Sequence, residues 1–199
     1  MQYTSAYQNM TDKALWNLAV KGDKKALSVL YKKHYELLLN FGLKYIADEE
    51  LVKDCIQDIF VRFCTSSNLS QTDYVRSYLL TSLKHSISDK LSALKITEGL
   101  DAHLFDLKIE DSALEVLFKN NDEELRIGKQ LMDAYKKLPD NQREAIYLRY
   151  VKGLSYKEIA AFLDITPQSS MNLVSRALSG LRSRMSLEDY LLALALFFS

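Results

Sequence analysis

Six side chains between positions 168 and 179 could form hydrogen bonds with the edges of nucleic-acid bases: Gln168, Ser169, Asn172, Ser175, Arg176 and Ser179. Glutamine and asparagine pair with adenine through two hydrogen bonds, arginine pairs with guanine in the same way, and serine contacts either base. At about 100° per residue, these side chains share the outward side of a helix. The spacing predicts a helix that reads DNA, although only one of the six is a cation and DNA binding usually depends on cations against phosphate.

The opposite side of the same helix carries the stripe that should face a core: Ser170, Val174, Ala177, Leu178 and Leu181. Ser170 is the exception on this stripe, because a buried hydroxyl costs about 1–3 kcal/mol unless it is paired. We expect its hydroxyl to donate to the Thr166 carbonyl, four residues earlier on the chain.

The elements that must position this face carry clear start and stop signals. A helix begins after Pro139 within NQREAIYLRYVKG, and Gly153 is placed where a glycine commonly ends a helix. Ser155 and Glu158 form a capping box that starts the next helix. Thr166 followed by Pro167 is a hydroxyl cap with proline at the first helical position, and this helix should run to about Met185. The pattern predicts a helix-turn-helix.

The N-terminal half contains two apolar stripes at helical spacing. The first comprises Leu27, Leu30, Tyr31, His34, Leu38, Phe41 and Tyr45; the second comprises Val52, Cys55, Ile56, Ile59, Phe60 and Phe63. Opposite the second stripe lie Asp54, Gln57, Asp58 and Val61. This face is either a solvated acidic surface or a surface for a partner, since Val61 is apolar among acidic neighbours.

A polar break, CTSSNLSQTD at 64–73, precedes a long helix that reaches residue 95. Its apolar positions are Leu80, Leu83, Ile87, Leu91 and Leu94, and its polar face carries Thr81, Lys84, His85, Ser88, Ser92 and Lys95. Such a basic, hydroxyl-rich face beside a polar loop suits a nucleic-acid strand. An ordinary exposed face explains the pattern equally well.

The charge distribution divides the chain, although its formal net charge is +0. Residues 1–95 contain 13 lysines and arginines against 10 acids, residues 96–125 contain 2 against 9, and residues 126–199 contain 11 against 7. We therefore predict an all-α protein in which an N-terminal helical domain (1–95) and a helix-turn-helix domain (126–185) are joined by an acidic linker (96–125). An apolar tail (186–199) follows, which packs on the second domain or binds a partner.

The remaining composition argues against several classes of protein. Cys55 and Cys64 are expected to be reduced core thiols of a cytosolic protein, and the three histidines lack metal-ligand spacing. The N-terminus does not resemble a signal peptide, and no apolar run is long enough to span a membrane. No phosphate-binding loop, nucleophile elbow or metal quartet is present. We expect a cytoplasmic protein without catalytic activity, cofactor, metal or membrane insertion.

These motifs together resemble the extracytoplasmic-function (ECF) class of bacterial RNA polymerase sigma factors, in the sigma-70 family. The stretch from LMDAYKKLPDNQREAIYLRY to SRALSGLR is similar to sigma region 4, which reads the −35 element. SYLLTSLKHSISDKL resembles the region 2 helix that faces the −10 element, and LVKDCIQDIFVRF resembles the segment that clasps the polymerase clamp helices. Gln168, Ser169 and Asn172, with the apolar tail, are similar to sigma factors of Bacteroidetes-type bacteria.

The resemblance implies roles for particular residues. Core RNA polymerase would be bound by Asp54, Gln57, Asp58, Phe60, Val61 and Arg62, with Phe60 on the core stripe supporting the helix. The −10 element would be bound by Lys84, His85, Ser88 and Asp89, with Asn68, Ser70 and Gln71 as weaker candidates in the loop. The −35 element would be read by Gln168, Ser169, Met171, Asn172, Ser175 and Arg176.

The resemblance also implies partners and a function. The partners would be core RNA polymerase, promoter DNA and an anti-sigma factor, either soluble or membrane-bound, and the acidic linker would thread through polymerase channels. The function would be to direct core polymerase to promoters and to start transcription by −35 recognition and −10 melting. The alternative is a helix-turn-helix regulator that acts without polymerase.

The chain departs from the family pattern at four positions. His85 replaces a usual asparagine, Cys64 a tryptophan, Met171 a basic residue and Ser170 a buried valine. These changes bear on the tightness of −35 binding more than on its existence.

Overall fold

The computed structural model describes residues 7–66, 69–98 and 122–197, and within these ranges the chain is helical and contains no strand. The all-α prediction is confirmed. Contacts divide the chain into two compact units, residues 1–107 and 108–199. The expected linker falls mostly on residues 99–121, which lie outside the described residues. The helices of the first unit are α1 (Asp12–Val20), α2 (Lys24–Gly42), α3 (Glu49–Thr65) and α4 (Val75–Glu98).

The first unit packs the two stripes expected from the sequence against each other. All six residues of the second stripe on α3 are buried, and so are six of the seven in the first stripe, Tyr31 being partly exposed. Leu80, Leu83, Ile87 and Leu91 of α4 complete this core, while the Leu94 side chain lies outside the described ones. Cys64 is exposed, so the expectation of two core thiols holds only for Cys55.

A partly buried carboxylate attaches α1 to α2. The Asp12 carboxylate lies 3.0 Å from Nε2 of His34 and 2.7 Å from Nζ of Lys33. The contact with His34, assisted by Lys33, lowers the pKa of Asp12 from 3.8 to about 2, although partial burial acts in the opposite direction. The charged form of Asp12 therefore stabilises the folded state.

This shift predicts a specific dependence of stability on pH. Because the pKa of Asp12 is lower in the folded state, its contribution is complete above pH 3.8 and is lost as the pH falls towards about 2. The contribution should be about 1–2 kcal/mol, the lower value allowing for solvent around the carboxylate. Urea unfolding of the wild type and of Asp12→Asn should show a stability difference that shrinks between pH 5 and pH 2.5. The matched variant Asp73→Asn removes a carboxylate from an exposed ion pair, and its stability should differ little from that of the wild type. A stability difference between the wild type and Asp12→Asn that does not change with pH would contradict the assignment of the lowered pKa to Asp12.

The second unit contains α5 (Asp122–Lys136), α6 (Asp140–Ile146), α7 (Tyr156–Leu163), α8 (Pro167–Arg182) and α9 (Leu187–Phe197). The starts predicted from the sequence are confirmed. Ser155 and Glu158 form the capping box of α7, and Thr166 caps α8 with Pro167 in its first turn. Gly153 has a φ of +63°, in the region that favours glycine.

Two features of the second unit differ from the sequence-based expectation. After α6 the helix continues as a π-helical segment, Tyr147–Val151, which places Tyr147 and Leu148 in the core. Helix α8 ends at Arg182 instead of about Met185, and Ser186 caps the separate helix α9 by accepting a hydrogen bond from the Asp189 amide. A serine cap stops α8 from continuing into the tail, because it stabilises a new helix start.

Helix α9 packs on the second unit by one face and leaves another face exposed. Tyr190 and Ala193 are buried, and Tyr190 joins the core formed by α5, α6 and α8. The buried Asp189 carboxylate accepts two hydrogen bonds from the Arg126 guanidinium, at 2.7 and 3.2 Å, and one from the Ser186 hydroxyl. Leu187, Leu191 and Leu192 remain exposed. The two alternatives left open for the tail therefore correspond to two faces of one helix.

Candidate nucleic-acid interface

The outward face of α8 consists of the side chains expected from the sequence. Gln168, Ser169, Met171, Asn172, Ser175, Arg176 and Ser179 are all exposed. No acidic residue occurs between Pro167 and Arg182, so nothing on the helix repels phosphate. The Gln168 amide donates a hydrogen bond to the Asn172 side-chain oxygen at 3.1 Å, which holds two amide groups together. The face can therefore present amides, hydroxyls and one guanidinium to base edges.

Ser170 is fully buried on the inward stripe, and its hydroxyl is paired differently from the expectation. Its Oγ lies 2.8 Å from the Tyr156 carbonyl oxygen and 2.8 Å from the Pro167 carbonyl oxygen. The predicted bond to the Thr166 carbonyl is wrong, because the hydroxyl is directed to the carbonyls of Pro167 and Tyr156 instead. Since Tyr156 belongs to α7, the hydroxyl joins the two helices of the helix-turn-helix and avoids the cost of a buried unpaired donor.

The turn before α7 is fixed by arginine. The guanidinium of Arg149 donates a hydrogen bond to the Leu154 carbonyl at 2.9 Å, and it lies 4.7 Å from the centre of the Tyr156 ring. Beside this turn, burial lowers the pKa of Lys152 to about 8. These contacts fix the start of α7. Because the Ser170 hydroxyl of α8 contacts the Tyr156 carbonyl of α7, they also fix the orientation of α8.

The acidic face of α3 is exposed as predicted. Asp54, Gln57, Asp58 and Arg62 are exposed, and the Val61 side chain retains 61% of its accessible surface. Phe60 does not belong to this surface: it is buried, with its ring 5.1 Å from that of Tyr31. Its place on the core stripe is confirmed, and it supports the helix from behind.

The pairing of Asp58 with Lys90 of α4 could not be found from the sequence. The two groups are 2.8 Å apart, with 57% of the Asp58 side chain and 31% of the Lys90 side chain exposed. Burial alone would lower the pKa of Lys90, but the hydrogen bond to Asp58 and neighbouring negative charges raise it. The pair links the acidic face of α3 to the helix that carries the predicted −10 residues.

The predicted −10 residues of α4 lie on one side of that helix. His85 and Asp89 are exposed, Lys84 and Ser88 are partly exposed, and the Lys84 ammonium lies 5.9 Å from the centre of the Tyr45 ring.

Ser70 and Gln71 of the loop are exposed, whereas Asn68 lies outside the described residues. The loop is held by Trp16 of α1, whose indole nitrogen donates to the Ser70 carbonyl at 3.0 Å.

Comparison with known proteins gives the class to which this scaffold belongs. Residues 30–95 match the family model for sigma-70 region 2, and residues 128–181 match the model for sigma-70, region 4. The chain therefore belongs to the sigma-70 family. The two matched segments contain the acidic face of α3, the polar face of α4 and the helix-turn-helix.

Curated relatives give the class within the family. The chain is 25% identical over 158 residues to the ECF RNA polymerase sigma factor SigM of Bacillus subtilis, with 77% of this chain and 91% of the relative covered. It is 24% identical over 187 residues to the ECF RNA polymerase sigma-E factor of Escherichia coli K12, with 85% and 92% covered. The protein is an ECF RNA polymerase sigma factor, and the alternative of a polymerase-independent regulator is not favoured.

Solved structures with the same fold include two protein complexes. CnrH, solved in complex with the cytosolic domain of CnrY, is 22% identical and superposes with a TM-score of 0.55 over 86% of this chain and 95% of its own. The sigma factor RpoE of Bartonella quintana, solved with the anti-sigma factor NepR, is 18% identical with a TM-score of 0.53 over 82% and 99%. At these identities the two structures show the fold alone. No helix in the described part of the chain is long and apolar enough to cross a membrane.

Proposed function

We propose that this sigma factor binds core RNA polymerase through the exposed acidic face of α3, contacts the −10 element with α4 and its preceding loop, and reads the −35 element with α8. The observation that carries the proposal is the outward face of α8, where amides, hydroxyls and arginines are exposed without a single acid. An ordinary solvent-facing helix is commonly rich in glutamate and lysine.

The scarcity of cations on α8 is consistent with a protein in which α3 binds core polymerase and α4 and α8 contact DNA. Because core polymerase would hold both DNA-binding units on one promoter, each unit acts at a high effective concentration. Binding of unpaired −10 bases would offset the cost of separating the strands, so recognition and opening become one event. The helix-turn-helix then needs to supply selectivity more than affinity.

The same features bear on where the protein acts, what regulates it and to which subgroup it belongs. We expect a cytoplasmic, non-catalytic protein held inactive by an anti-sigma factor, soluble or membrane-bound, with the acidic linker in polymerase channels. The exposed leucines of α9 are a candidate contact for such a partner. Gln168, Ser169 and Asn172, together with the apolar α9, support a Bacteroidetes-type sigma factor.

The decisive experiment is in vitro transcription from a genomic promoter library with core RNA polymerase, in the presence and absence of the protein. Transcripts from a defined set of promoters should appear only when both components are present. Sequence-specific DNA binding by the protein alone, with no protein-dependent transcript, would contradict the proposal.

Arg176 tests the assignment of α8 to base reading. Arg176→Ala should reduce discrimination at one position of the −35 element by about 1–3 kcal/mol, because a bidentate contact to guanine is lost. Transcription from promoters that differ only at single −35 positions measures this directly. Arg182→Ala, at an exposed arginine in the last turn of α8, is the matched control. An equal loss on every promoter would make Arg176 a phosphate contact.

A further inference from the structure

Two side-chain contacts, one buried and one exposed, join α4 to α3, the helix that carries the proposed polymerase contact. In the buried contact, the Cys55 thiol is hydrogen-bonded to the Ser86 side chain, and both residues lie in the core. In the exposed contact, the Lys90 ammonium lies 2.8 Å from the Asp58 carboxylate. Ser86 and Lys90 are four residues apart on one side of α4, so both side chains are directed towards α3.

The exposed contact is weak enough to be exchanged for another. Solvent reaches 57% of the Asp58 side chain and 31% of the Lys90 side chain. An ion pair with this exposure contributes little to stability, because water screens the two charges and both side chains lose conformational freedom. The buried contact keeps α3 and α4 packed without it. A cation on the surface of a partner can therefore take the Asp58 carboxylate without disturbing the core.

Lys90 also changes the charge of the surface on which the partner would bind. The exposed face of α3 carries the carboxylates of Asp54 and Asp58 and the guanidinium of Arg62, which give it a formal charge of −1. Burial lowers the pKa of Lys90, but the hydrogen bond to Asp58 and the charge of Asp54 raise it, so the group is held as a cation. With this ammonium included, the formal charge is zero, and a cationic partner is attracted less strongly.

We propose that the Asp58–Lys90 ion pair is an autoinhibitory contact, in which Lys90 occupies the Asp58 carboxylate in the free protein and is displaced when core polymerase binds α3. The proposal rests on the function proposed above, since it requires the acidic face of α3 to bind core polymerase. It also states the chemistry of the partner at this point: the polymerase surface brings a cation to Asp58. Breaking the pair lowers the affinity of the complex and keeps binding reversible.

The test is the affinity of the full-length protein for purified core polymerase, measured by fluorescence anisotropy of the labelled protein. Lys90→Met removes the charge and keeps a long side chain. It should bind core polymerase about three to five times more tightly than the wild type, because no ion pair has to be broken. Lys90→Arg keeps a cation beside Asp58 and should bind like the wild type. Circular dichroism checks the fold, and Lys90→Gln provides a second neutral variant with the same expected gain.

A double-mutant cycle tests whether Lys90 acts through Asp58. Asp58→Asn should weaken binding, and in this background Lys90→Met should add little, because the carboxylate that Lys90 occupies is absent. A gain of equal size in both backgrounds would overturn the proposal, since Lys90 would then act only through the overall charge. Lys13→Met is the matched control, because it removes an exposed lysine that lies 2.8 Å from Asp73, away from α3, and it should leave the affinity unchanged.

The outcomes separate this proposal from the proposed function. Weaker or unchanged binding by Lys90→Met, together with a loss of affinity in Asp58→Asn, would overturn the autoinhibitory contact alone. Lys90 would then support the interface or take no part in it, while the acidic face would keep its role. If Asp58→Asn binds core polymerase as tightly as the wild type, the assignment of this carboxylate to the polymerase contact is wrong, and the autoinhibitory contact falls with it.

Discussion

Asp54→Lys combined with Asp58→Lys is expected to abolish binding of core RNA polymerase while the first unit remains folded. Both carboxylates are exposed on the face of α3 opposite the buried stripe, so their replacement does not disturb the core. Reversing two charges turns attraction into repulsion at an interface, where like charges cost several kcal/mol. Pull-down with purified core polymerase measures the effect, and circular dichroism checks the fold.

The matched control places the same charge change elsewhere on the unit. Glu36→Lys with Glu49→Lys also reverses two exposed acids, but on α2 and on a different side of α3. This control should bind core polymerase at close to the wild-type level. Unchanged pull-down of the Asp54 and Asp58 variant would contradict the assignment of this face to polymerase.

A further variant is needed at Asp58, because a loss of core polymerase binding would also result if breaking the ion pair with Lys90 displaced α4. If Asp58 acts by holding α4, then Asp58→Lys with Lys90→Asp should restore binding of core polymerase, because the ion pair is re-formed with its charges exchanged. If Asp58 binds polymerase directly, the exchange should restore nothing. An exposed pair of this kind contributes at most about 1 kcal/mol to stability, so we expect no restoration of core binding.

Removal of residues 187–199 is expected to destabilise the second unit severely. The deletion takes Tyr190 and Ala193 out of the core and leaves the Arg126 guanidinium without the Asp189 carboxylate. Loss of a large buried side chain costs about 3–5 kcal/mol, because the remaining structure closes the cavity only in part. Thermal unfolding followed by circular dichroism should show a lower midpoint, and Tyr190→Ala should reproduce much of the decrease without shortening the chain.

The exposed face of α9 provides the control for this prediction. Leu187→Ser with Leu191→Ser changes two side chains that are 57% and 56% exposed. Surface substitutions of this kind usually change stability by less than about 0.5 kcal/mol. A deletion that leaves the midpoint unchanged would show that α9 is not part of the fold, and the tail would then serve only as a partner contact.

Much of the scaffold could be predicted from the sequence because its signals are local. The capping box at Ser155 and Glu158 and the cap at Thr166 join residues three apart, and they appear where the sequence places them. The buried stripe of α3 follows from a period of 3.6 residues, which fixes its face regardless of what packs there. The end of α8 was predicted three residues too late, since the Ser186 cap of α9 was not recognised.

By itself, the sequence determined the buried stripes of α2 and α3, the starts of α7 and α8, and the face of α8 that carries Gln168, Asn172 and Arg176. Only the tertiary structure decided which hydrogen-bond partners the polar groups of Ser170, Trp16 and Arg126 find. The Ser170 hydroxyl meets a carbonyl 14 residues away, Trp16 meets the loop 54 residues away, and Arg126 meets Asp189 63 residues away. Periodicity determines which way a side chain points, but its partner depends on how the helices pack, and no local pattern records that choice.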